Sequence, residues 1–341
     1  MKAVRIHHHG GPEVLRYETV NRPEDRDNQV LVEIKASGMN HLDLWVRKGI
    51  PGIQLPMILG SDGAGIVHAV GKNVMDFKVG DEVVIQPLTY CGSCRFCHSG
   101  RENYCDHWGI LGENQDGTQC DFIALEPRFI RRKPANLSFV EAAGFALTGQ
   151  TAYAMLIRRA GIQAGETVFI WGAGSGVGST AIQIAKGSGC TVITTGGTEE
   201  KLKLAKRLGA DLTLNHYSDD IPREIKEFSE GRGVDVVLEH VGAATWKTSM
   251  RILGKGGRLV TCGATTGSGV EIDLRHLFYK QHSILGSTMG DVASFEACLK
   301  LVSEGTLQPV IDRTFPLAAV REAHEYLEQG RQVGKVILVP E

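Results

Sequence analysis

The chain has 341 residues, more than a single hydrophobic core usually supports, so we expect two domains. Its 37 Lys and Arg are balanced by 39 Asp and Glu, which excludes a net positive field that would draw it to nucleic acid or anionic lipid. No apolar stretch approaches the ~20 residues that cross a bilayer, and the N-terminus lacks the layout of a signal peptide. We therefore expect a cytoplasmic protein with neither nucleic-acid nor membrane partners.

The first 150 residues have the texture of a compact all-β domain. Short β-type runs occur at 30–35, 64–70 and 82–86, and Gly and Pro separate them at short intervals.

Four of the eight cysteines fall within fifteen positions, as Cys91-x2-Cys94-x2-Cys97-x7-Cys105. In a reducing compartment such bunching indicates metal rather than disulfides. Zinc accepts four thiolates at about 2.3 Å, and four sulfurs leave no open coordination position. We predict one structural zinc held by these four cysteines, with unmetallated thiols as the alternative.

From about residue 148 the pattern changes to a helix (148–159) and then to alternating strands and helices. We predict strands near 167–171, 190–195, 211–215, 234–238, 257–262 and 283–287. This alternation is typical of a doubly wound parallel sheet, hence of an α/β protein. A helix at 294–304 and a strand at 334–339 lie beyond the sixth strand. We therefore predict one domain at 1–150, rejoined by 290–341, and a second at 151–289.

The first predicted strand of this sheet runs into Gly172-Ala-Gly-Ser-Gly-Val-Gly178 and then into an apolar helix at 179–186. A strand that turns through glycines into a helix presents free backbone N–H groups and a positive dipole end to a pyrophosphate. The G-x-G-x-x-G spelling is absent in every register, so a glycine-rich turn without ligand remains the alternative. We predict dinucleotide binding at the loop residues Gly174, Ser175, Gly176 and Val177.

Cofactor choice is usually read about 20 residues after such a loop, where an acidic residue binds the ribose of NAD. Here that position is Gly196. Without a carboxylate there, a 2′-phosphate could lie near Thr195, Thr198 and Lys201. NADP(H) is therefore favoured over NAD(H), although Glu199 and Glu200 are close and a solvated role for Lys201 stays open.

Several segments together resemble the medium-chain, zinc-type alcohol dehydrogenase and quinone reductase superfamily. These are the opening Met1-Lys-Ala-Val4, Leu59-Gly-Ser-Asp-Gly-Ala-Gly65, Val79-Gly-Asp-Glu-Val83, Gly209-Ala-Asp211 and the cysteine cluster. The resemblance covers essentially the whole chain. It implies a GroES-like β domain plus a Rossmann domain, an active site in the cleft between them, small-molecule substrates, and a homodimer or homotetramer.

The resemblance also locates the ligands that hold catalytic zinc in other members, namely a Cys, a His-Glu pair and a second Cys. At the matching positions this sequence has Asn40, Ser61 with Asp62, and Leu147. Only Asp62 offers a suitable ligand group. Catalytic zinc is therefore expected to be absent, with a reorganised site using His41 and Asp62 as the alternative.

The segment 36–43 instead resembles zinc-independent quinone and enoyl reductases, which carry Asn near position 40. We therefore expect an NAD(P)H-dependent oxidoreductase that transfers hydride to an activated C=C bond. Asn40 is the candidate hydrogen-bond donor to the substrate and Asp43 the residue that orients its loop. Two alternatives stay open: an alcohol dehydrogenase, and a non-catalytic NADPH-binding protein of the crystallin kind.

The resemblance implies further cofactor contacts outside the glycine loop. Thr148 would approach the phosphates and Tyr217 would stack near the adenosine ribose. The nicotinamide site would be lined by Val241, Gly263, Ala264, Ser287 and Thr288.

Overall fold

The computed structural model describes residues 1–24 and 26–341. The strands, in chain order, are β1 Lys2–Ile6, β2 Arg16–Thr19, β3 Val30–Gly38, β4 Met57–Ile58, β5 Asp62–Val70, β6 Glu82–Ile85, β7 Leu88–Thr89, β8 Gly109–Ile110, β9 Phe122–Leu125, β10 Ile130–Arg132, β11 Thr167–Ile170, β12 Thr191–Gly196, β13 Leu212–Asn215, β14 Val234–Glu239, β15 Leu253–Thr261, β16 Ser283–Gly286, β17 Ile311–Pro316 and β18 Lys335–Val339.

The helices are mostly short, and a π-helical segment continues the fourth of them at Ala154–Ala160. They are α1 His41–Lys48, α2 Arg95–His98, α3 Phe139–Ala142, α4 Ala146–Tyr153, α5 Gly176–Gly187, α6 Glu199–Arg207, α7 Ile221–Phe228, α8 Ala243–Ile252, α9 Leu274–Tyr279, α10 Val292–Ser303 and α11 Val320–Glu328. Among the described residues, no helix combines the length and apolar character that a membrane span requires.

The chain divides into two compact units. The first unit comprises Met1–Thr148 and Asp291–Glu341, and the second comprises Gly149–Gly290.

The first unit is built on a seven-stranded sheet of order β10-β6-β5-β3-β18-β17, with β9 also paired to β3. A smaller sheet, β2-β1-β4, accompanies it. Strand β3 pairs antiparallel with both β5 and β18, and Gly38 lies opposite Asp62 on one side and Ile337 on the other. The start of β5 and the start of β18 are thus brought to the end of β3.

The second unit is a six-stranded parallel sheet of order β13-β12-β11-β14-β15-β16. In chain order this is 3-2-1-4-5-6, the order of a doubly wound dinucleotide fold. Central strands such as β11 are nearly fully buried, since helices cover both faces of such a sheet. The apolar core includes Phe169, Ile193 and Val237, one from each of three adjacent strands.

All six strands predicted for the sheet are present, which confirms the α/β fold, although β15 begins four residues before the predicted 257. Helix α5 begins at Gly176, three residues earlier than predicted, because the Ser175 side chain caps it. The predicted helix at 148–159 is α4 with its π-helical continuation. Sequence reasoning missed β17 and α11, which lie between α10 and β18.

Candidate functional site

Three polar side chains meet inside the first unit where β3 ends and β5 and β18 begin. Lys335 Nζ donates to Asn40 Oδ1 (2.6 Å) and to Asp62 Oδ2 (3.0 Å), and Asn40 Nδ2 donates to Asp62 Oδ2 (2.9 Å). The Asp62 side chain is fully buried and that of Lys335 is 5% exposed. Buried charges persist when they are paired and hydrogen-bonded, as these are. We call Asn40, Asp62 and Lys335 the buried triad.

The buried triad includes two of the positions that the resemblance assigns to catalytic-zinc ligands. At a third such position, the Leu147 backbone N–H donates to Asp62 Oδ1 (2.7 Å). Both oxygens of Asp62 therefore have partners within the protein. A metal held by His41 and Asp62 would have to displace the Lys335 ammonium from this carboxylate. Across residues 1–24 and 26–341, only the four clustered cysteines form a convergent group of three or more potential His, Cys, Asp or Glu ligands.

Asp43 lies beside the triad and binds two backbone segments. Its carboxylate accepts from the N–H of Asn40 (2.7 Å) and the N–H of Gly60 (3.0 Å), and more weakly from Gln119 Nε2 (3.4 Å). Burial raises the pKa of Asp43 to about 6, although these hydrogen bonds and Lys335 act in the opposite direction. Asp43 thus links the backbone at Asn40 to that at Gly60. Its role in orienting the loop for catalysis stays a prediction.

The four clustered cysteines converge in one lobe of the first unit. Their sulfur atoms all lie within 4.8 Å of one another, with separations of 3.5 Å between Cys91 and Cys105, 3.6 Å between Cys94 and Cys97, and 3.9 Å between Cys91 and Cys97. Tetrahedral zinc with Zn–S bonds of about 2.3 Å requires sulfur separations of about 3.8 Å. The donor set and its spacing therefore fit one structural zinc.

Backbone N–H groups around the lobe favour the thiolate form of some of these sulfurs. Cys91 Sγ accepts from the Ser93 N–H (3.4 Å), and Cys105 Sγ accepts from the N–H groups of Cys91 and His107 (both 3.3 Å). The Ser93 hydrogen bonds lower the pKa of Cys91 to about 5. Burial, in contrast, raises the pKa of Cys97 to about 12. A zinc ion would offset the cost of holding four close thiolates, because it binds only the deprotonated form.

The glycine loop joins β11 to α5 as the sequence predicted. Ser175 Oγ accepts from the Gly178 N–H (2.9 Å), so the side chain caps the helix. The first N–H groups of a helix have no intrahelical acceptor. Within the described residues, those of Gly176 and Val177 have no protein acceptor, and both residues are half-buried. The loop thus offers two backbone donors and a helix dipole, which suits a pyrophosphate.

Lys201 lies over this loop. A Cβ added at Gly174 would be 2.8 Å from Lys201 Cδ and Cγ, so the lysine stem lies directly against the backbone of Gly174. Burial lowers the pKa of His216, and the positive charge of Lys201 lowers it further. Lys201 and His216 are therefore neighbours at the edge where β12 and β13 end.

The other residues predicted at this edge have different environments. Thr195 is fully buried and its hydroxyl accepts from the Gly172 N–H (3.2 Å), so it supports the loop, and its contact with a 2′-phosphate stays a prediction. The Thr198 hydroxyl accepts from the Lys201 N–H (3.4 Å) and caps α6. The Tyr217 ring is 82% exposed and packs edge-on against His216.

The predicted nicotinamide-lining residues follow β14, β15 and β16. The Val241 N–H donates to Glu239 Oε1 (2.7 Å), and the Ser287 N–H donates to the Thr261 carbonyl (2.9 Å). Gly242 has φ of 95°, and a Cβ there would lie 2.9 Å from Cα of Ala264, so the turns after β14 and β15 are in close contact. Gly263 and Thr288 belong to the same turns after β15 and β16. Their contact with a cofactor stays a prediction.

Thr148, predicted near the phosphates, is 4% exposed and its hydroxyl donates to the Phe145 carbonyl (3.4 Å). That hydroxyl is thus already bound to the residue just before α4, and its approach to a ligand stays a prediction.

Sequence reasoning missed three residues of these sites: Lys335, His216 and His240. Lys335 follows Gly334 and opens the apolar run Val336–Val339, and a lone charge at the start of a buried strand is a usable signal. His216 comes directly after β13, and His240 directly after β14. Carboxyl ends of parallel strands are where doubly wound sheets bind ligands, so both positions were readable from the strand assignment.

A doubly wound sheet with a glycine loop, together with a four-cysteine lobe on a β unit, defines a dehydrogenase-type protein. Sequence profiles agree: that of the alcohol dehydrogenase GroES-like domain matches residues 26–135, and that of the zinc-binding dehydrogenases matches residues 176–304.

Three known proteins illustrate the similarity. The crystal structure of an NAD-dependent alcohol dehydrogenase has a TM-score of 0.96 and 44% identity, covering 99% of both chains. The human quinone oxidoreductase is 32% identical over 99% of this chain and 98% of its own. The crotonyl-CoA carboxylase/reductase of Cereibacter sphaeroides is 32% identical over 99% of this chain and 86% of its own.

The chain belongs to the medium-chain, zinc-type alcohol dehydrogenase and quinone oxidoreductase superfamily. It is an oxidoreductase of the medium-chain dehydrogenase/reductase type. The family and the cysteine cluster together support a structural zinc and a nicotinamide cofactor.

Proposed function

We propose that the chain is an NADP(H)-dependent reductase that adds hydride to a C=C bond conjugated to a carbonyl, as in an enoyl thioester, an enone or a quinone, without a catalytic zinc. One observation carries the proposal: where relatives of the zinc type would need ligands for an ion, this chain has a buried ammonium, Lys335, paired with Asp62. The similarity to a quinone oxidoreductase and to a crotonyl-CoA carboxylase/reductase supports the same substrate class.

Asn40 is the proposed donor to the substrate carbonyl. One hydrogen of its Nδ2 is bound to Asp62, and within the described residues the other has no acceptor. Lys335 Nζ donates to Asn40 Oδ1, which draws electron density from the amide and strengthens the remaining N–H as a donor. Lys335 therefore acts through Asn40 as a positioning residue.

The negative charge that Asn40 would have to stabilise during the reaction is delocalised. A reduced nicotinamide supplies the hydride when it is bound. The substrate β-carbon gains the hydride, the π electrons of the C=C bond move to the carbonyl oxygen, and the α-carbon then takes a proton from water. The resulting enolate spreads its charge over oxygen and carbon, so hydrogen-bond donors suffice, whereas reduction of an isolated carbonyl concentrates charge on an alkoxide that zinc would normally stabilise.

The proposed preference for NADP(H) is based on the residues at the carboxyl end of β12. Strand β12 ends at Gly196, with no carboxylate to repel a 2′-phosphate. Lys201 passes over Gly174 of the glycine loop. Glu199, the next acid along the chain, pairs with Lys203 along α6 (3.8 Å). Thr198 and Tyr217 remain proposed contacts of the adenosine half.

Alcohol oxidation is the second candidate, since a structure with 44% identity is that of an NAD-dependent alcohol dehydrogenase. The two functions predict different metal contents. An ene reductase of the proposed kind holds one zinc per chain, in the cysteine lobe. An alcohol dehydrogenase of the zinc type holds two.

The experiment combines metal counting with a substrate panel. Zinc per chain is measured by mass spectrometry, and consumption of NADPH and of NADH is followed with an enoyl thioester, an enone, a quinone and simple aldehydes. Formation of NADH and NADPH is followed in parallel with alcohols. One zinc with C=C reduction supports the proposal. Two zincs with chelator-sensitive alcohol oxidation overturn it, and cofactor binding without any turnover favours the non-catalytic alternative.

The role of Asn40 is tested with Asn40→Ala and with Asn40→Asp, which keeps the shape but loses the amide donor. Both variants should lower kcat about 100- to 1,000-fold, the usual cost of one donor to a developing oxyanion. Ser37→Ala is the control, because its buried hydroxyl bonds Thr118 Oγ1 (2.8 Å) and the backbone carbonyl of Asp62 (3.2 Å) but no side chain of the triad. Unchanged turnover in Asn40→Ala would remove this residue from the mechanism.

A further inference from the structure

His240 lies at the topological switch point of the sheet in the second unit. The sheet order β13-β12-β11-β14-β15-β16 makes β11 and β14 neighbours, although the chain leaves them toward opposite edges. Ligands of doubly wound sheets bind in the crevice outside the carboxyl ends of these two strands. The glycine loop follows β11, and His240 is the first residue after β14.

The imidazole of His240 reaches across this point to the glycine loop. Its Nε2 lies 2.8 Å from the carbonyl oxygen of Trp171. A carbonyl oxygen only accepts, so Nε2 carries the hydrogen, and in the neutral ring Nδ1 is left as an acceptor. The ring also lies against Gly172, where an added Cβ would be 3.3 Å from His240 Cε1.

Nδ1 lies on the other side of Cε1 from Nε2. Within residues 1–24 and 26–341 it has no hydrogen-bond partner, and His240 is half-buried. The ring is therefore fixed by one nitrogen and presents a defined acceptor with the other.

The backbone around His240 is held from two directions. The Thr265 hydroxyl donates to the His240 carbonyl (3.2 Å). On the other side, the fully buried carboxylate of Glu239 accepts from the Gly242 N–H (3.1 Å), from Thr245 Oγ1 (2.9 Å) and from Ser249 Oγ (2.6 Å). Since these contacts fix the turn on both flanks, His240 is presented from a rigid element and not from a mobile loop.

The orientation of a dinucleotide across the ends of β11 and β14 identifies the part of the cofactor that lies beside His240. The pyrophosphate binds at the glycine loop, and the two halves of the sheet each hold one nucleotide. The half formed by β11, β12 and β13 contains the end of β12, where the adenosine ribose binds in such folds, so β14 begins the half that holds the nicotinamide nucleotide. The first sugar beyond the pyrophosphate on that side is the nicotinamide ribose, whose hydroxyls are hydrogen-bond donors.

We propose that His240 is a cofactor-binding residue that accepts, through Nδ1, a hydrogen bond from a hydroxyl of the nicotinamide ribose. The inference rests on the binding of a nicotinamide dinucleotide but not on the proposed ene reduction. His240 thereby ties that ribose to the backbone of the glycine loop through one ring.

The test measures binding without turnover, using His240→Phe, which keeps the ring shape without nitrogen, and His240→Asn, which offers an amide oxygen as a replacement acceptor. The wild-type chain is first titrated with NADPH and NADH, and the series of the tighter cofactor is used. For NADPH that series is the cofactor, 2′-phospho-ADP-ribose and 2′,5′-ADP. For NADH it is the cofactor, ADP-ribose and ADP.

For His240→Phe, we expect Kd to rise about tenfold for the cofactor and for the ribose-bearing fragment, and to stay within twofold for the fragment that lacks this ribose. His240→Asn should recover part of the loss. The unchanged fragment doubles as a check that the glycine loop is intact. Equal weakening of all three ligands, or no change in any, overturns the inference. Failure of both cofactors to bind the wild-type chain overturns it as well, whereas absence of ene reduction with normal binding affects only the proposed function.

Discussion

Replacing Lys335 by Met removes the ammonium from the buried triad while it keeps most of the side-chain volume. Asp62 would keep the hydrogen bonds from Leu147 and Asn40 but lose its only described cationic partner, and its side chain has no exposed surface. Breaking a buried ion pair by removing one partner typically costs about 3–5 kcal/mol. We expect a loss of this size in the first unit.

The double variant Asp62→Asn with Lys335→Met removes both charges and should recover at least about 1–2 kcal/mol of that loss, because no uncompensated carboxylate remains. Lys72→Met is the matched control: it breaks an ion pair with Asp27 in the same unit, but with 72% and 57% of the two side chains exposed. We expect it to cost less than about 1 kcal/mol.

Native-state hydrogen exchange is the appropriate assay, because a chain of two units need not unfold in one transition. The free energy of opening is measured for amides of β3 and β18. If Lys335→Met lowers it no more than Lys72→Met does, and the double variant gains nothing, the ammonium does not neutralise Asp62 and the argument against a metal at this point fails.

Lys201→Ala should raise the Kd for NADPH at least about tenfold and leave that for NADH within twofold, since a charged hydrogen bond contributes about 1.5–3 kcal/mol; equal Kd changes for both cofactors would contradict the 2′-phosphate contact. Asp43 has a pKa of about 6 in the folded chain against 3.8 as the ordinary value. The native state therefore binds this proton more tightly than the unfolded state, and its stabilising contribution is complete below about pH 4 and lost as pH rises through 6. The free energy of unfolding of the wild type, measured relative to that of Asp43→Asn, should fall as pH rises over that range. A relative value independent of pH would refute the assignment. Removal of zinc by a chelator should release one ion per chain and abolish exchange protection in 91–108, while NADPH binding remains within twofold; a release of two ions would point to a second site.

Local sequence patterns predicted much of the fold, the cysteine lobe and the glycine loop. The alternation of apolar strands and helices predicted the six-stranded sheet, and two-residue gaps predicted the convergence of Cys91, Cys94 and Cys97. Both features depend on residues close in sequence, where turn chemistry and periodicity decide the geometry.

Features that depend on pairing between distant strands were not predicted from the sequence. Lys335 lies 295 positions from Asn40, and only the register of β18 on β3 brings them together. Thr195 was predicted near a 2′-phosphate, which stays untested, but the sequence did not predict that its buried hydroxyl accepts from the Gly172 N–H. A shift of one residue along a strand reverses the face of a side chain, so such assignments require the pleat itself.

The split of the first unit along the chain has a consequence for biosynthesis. Asn40 and Asp62 leave the ribosome before any residue of the second unit, whereas Lys335 follows it. At about 5–20 residues/s, this delay is on the order of tens of seconds. During that interval the β3–β5 pair contains Asp62 without its cationic partner Lys335, so this carboxylate stays uncompensated until β18 is synthesised and completes the sheet.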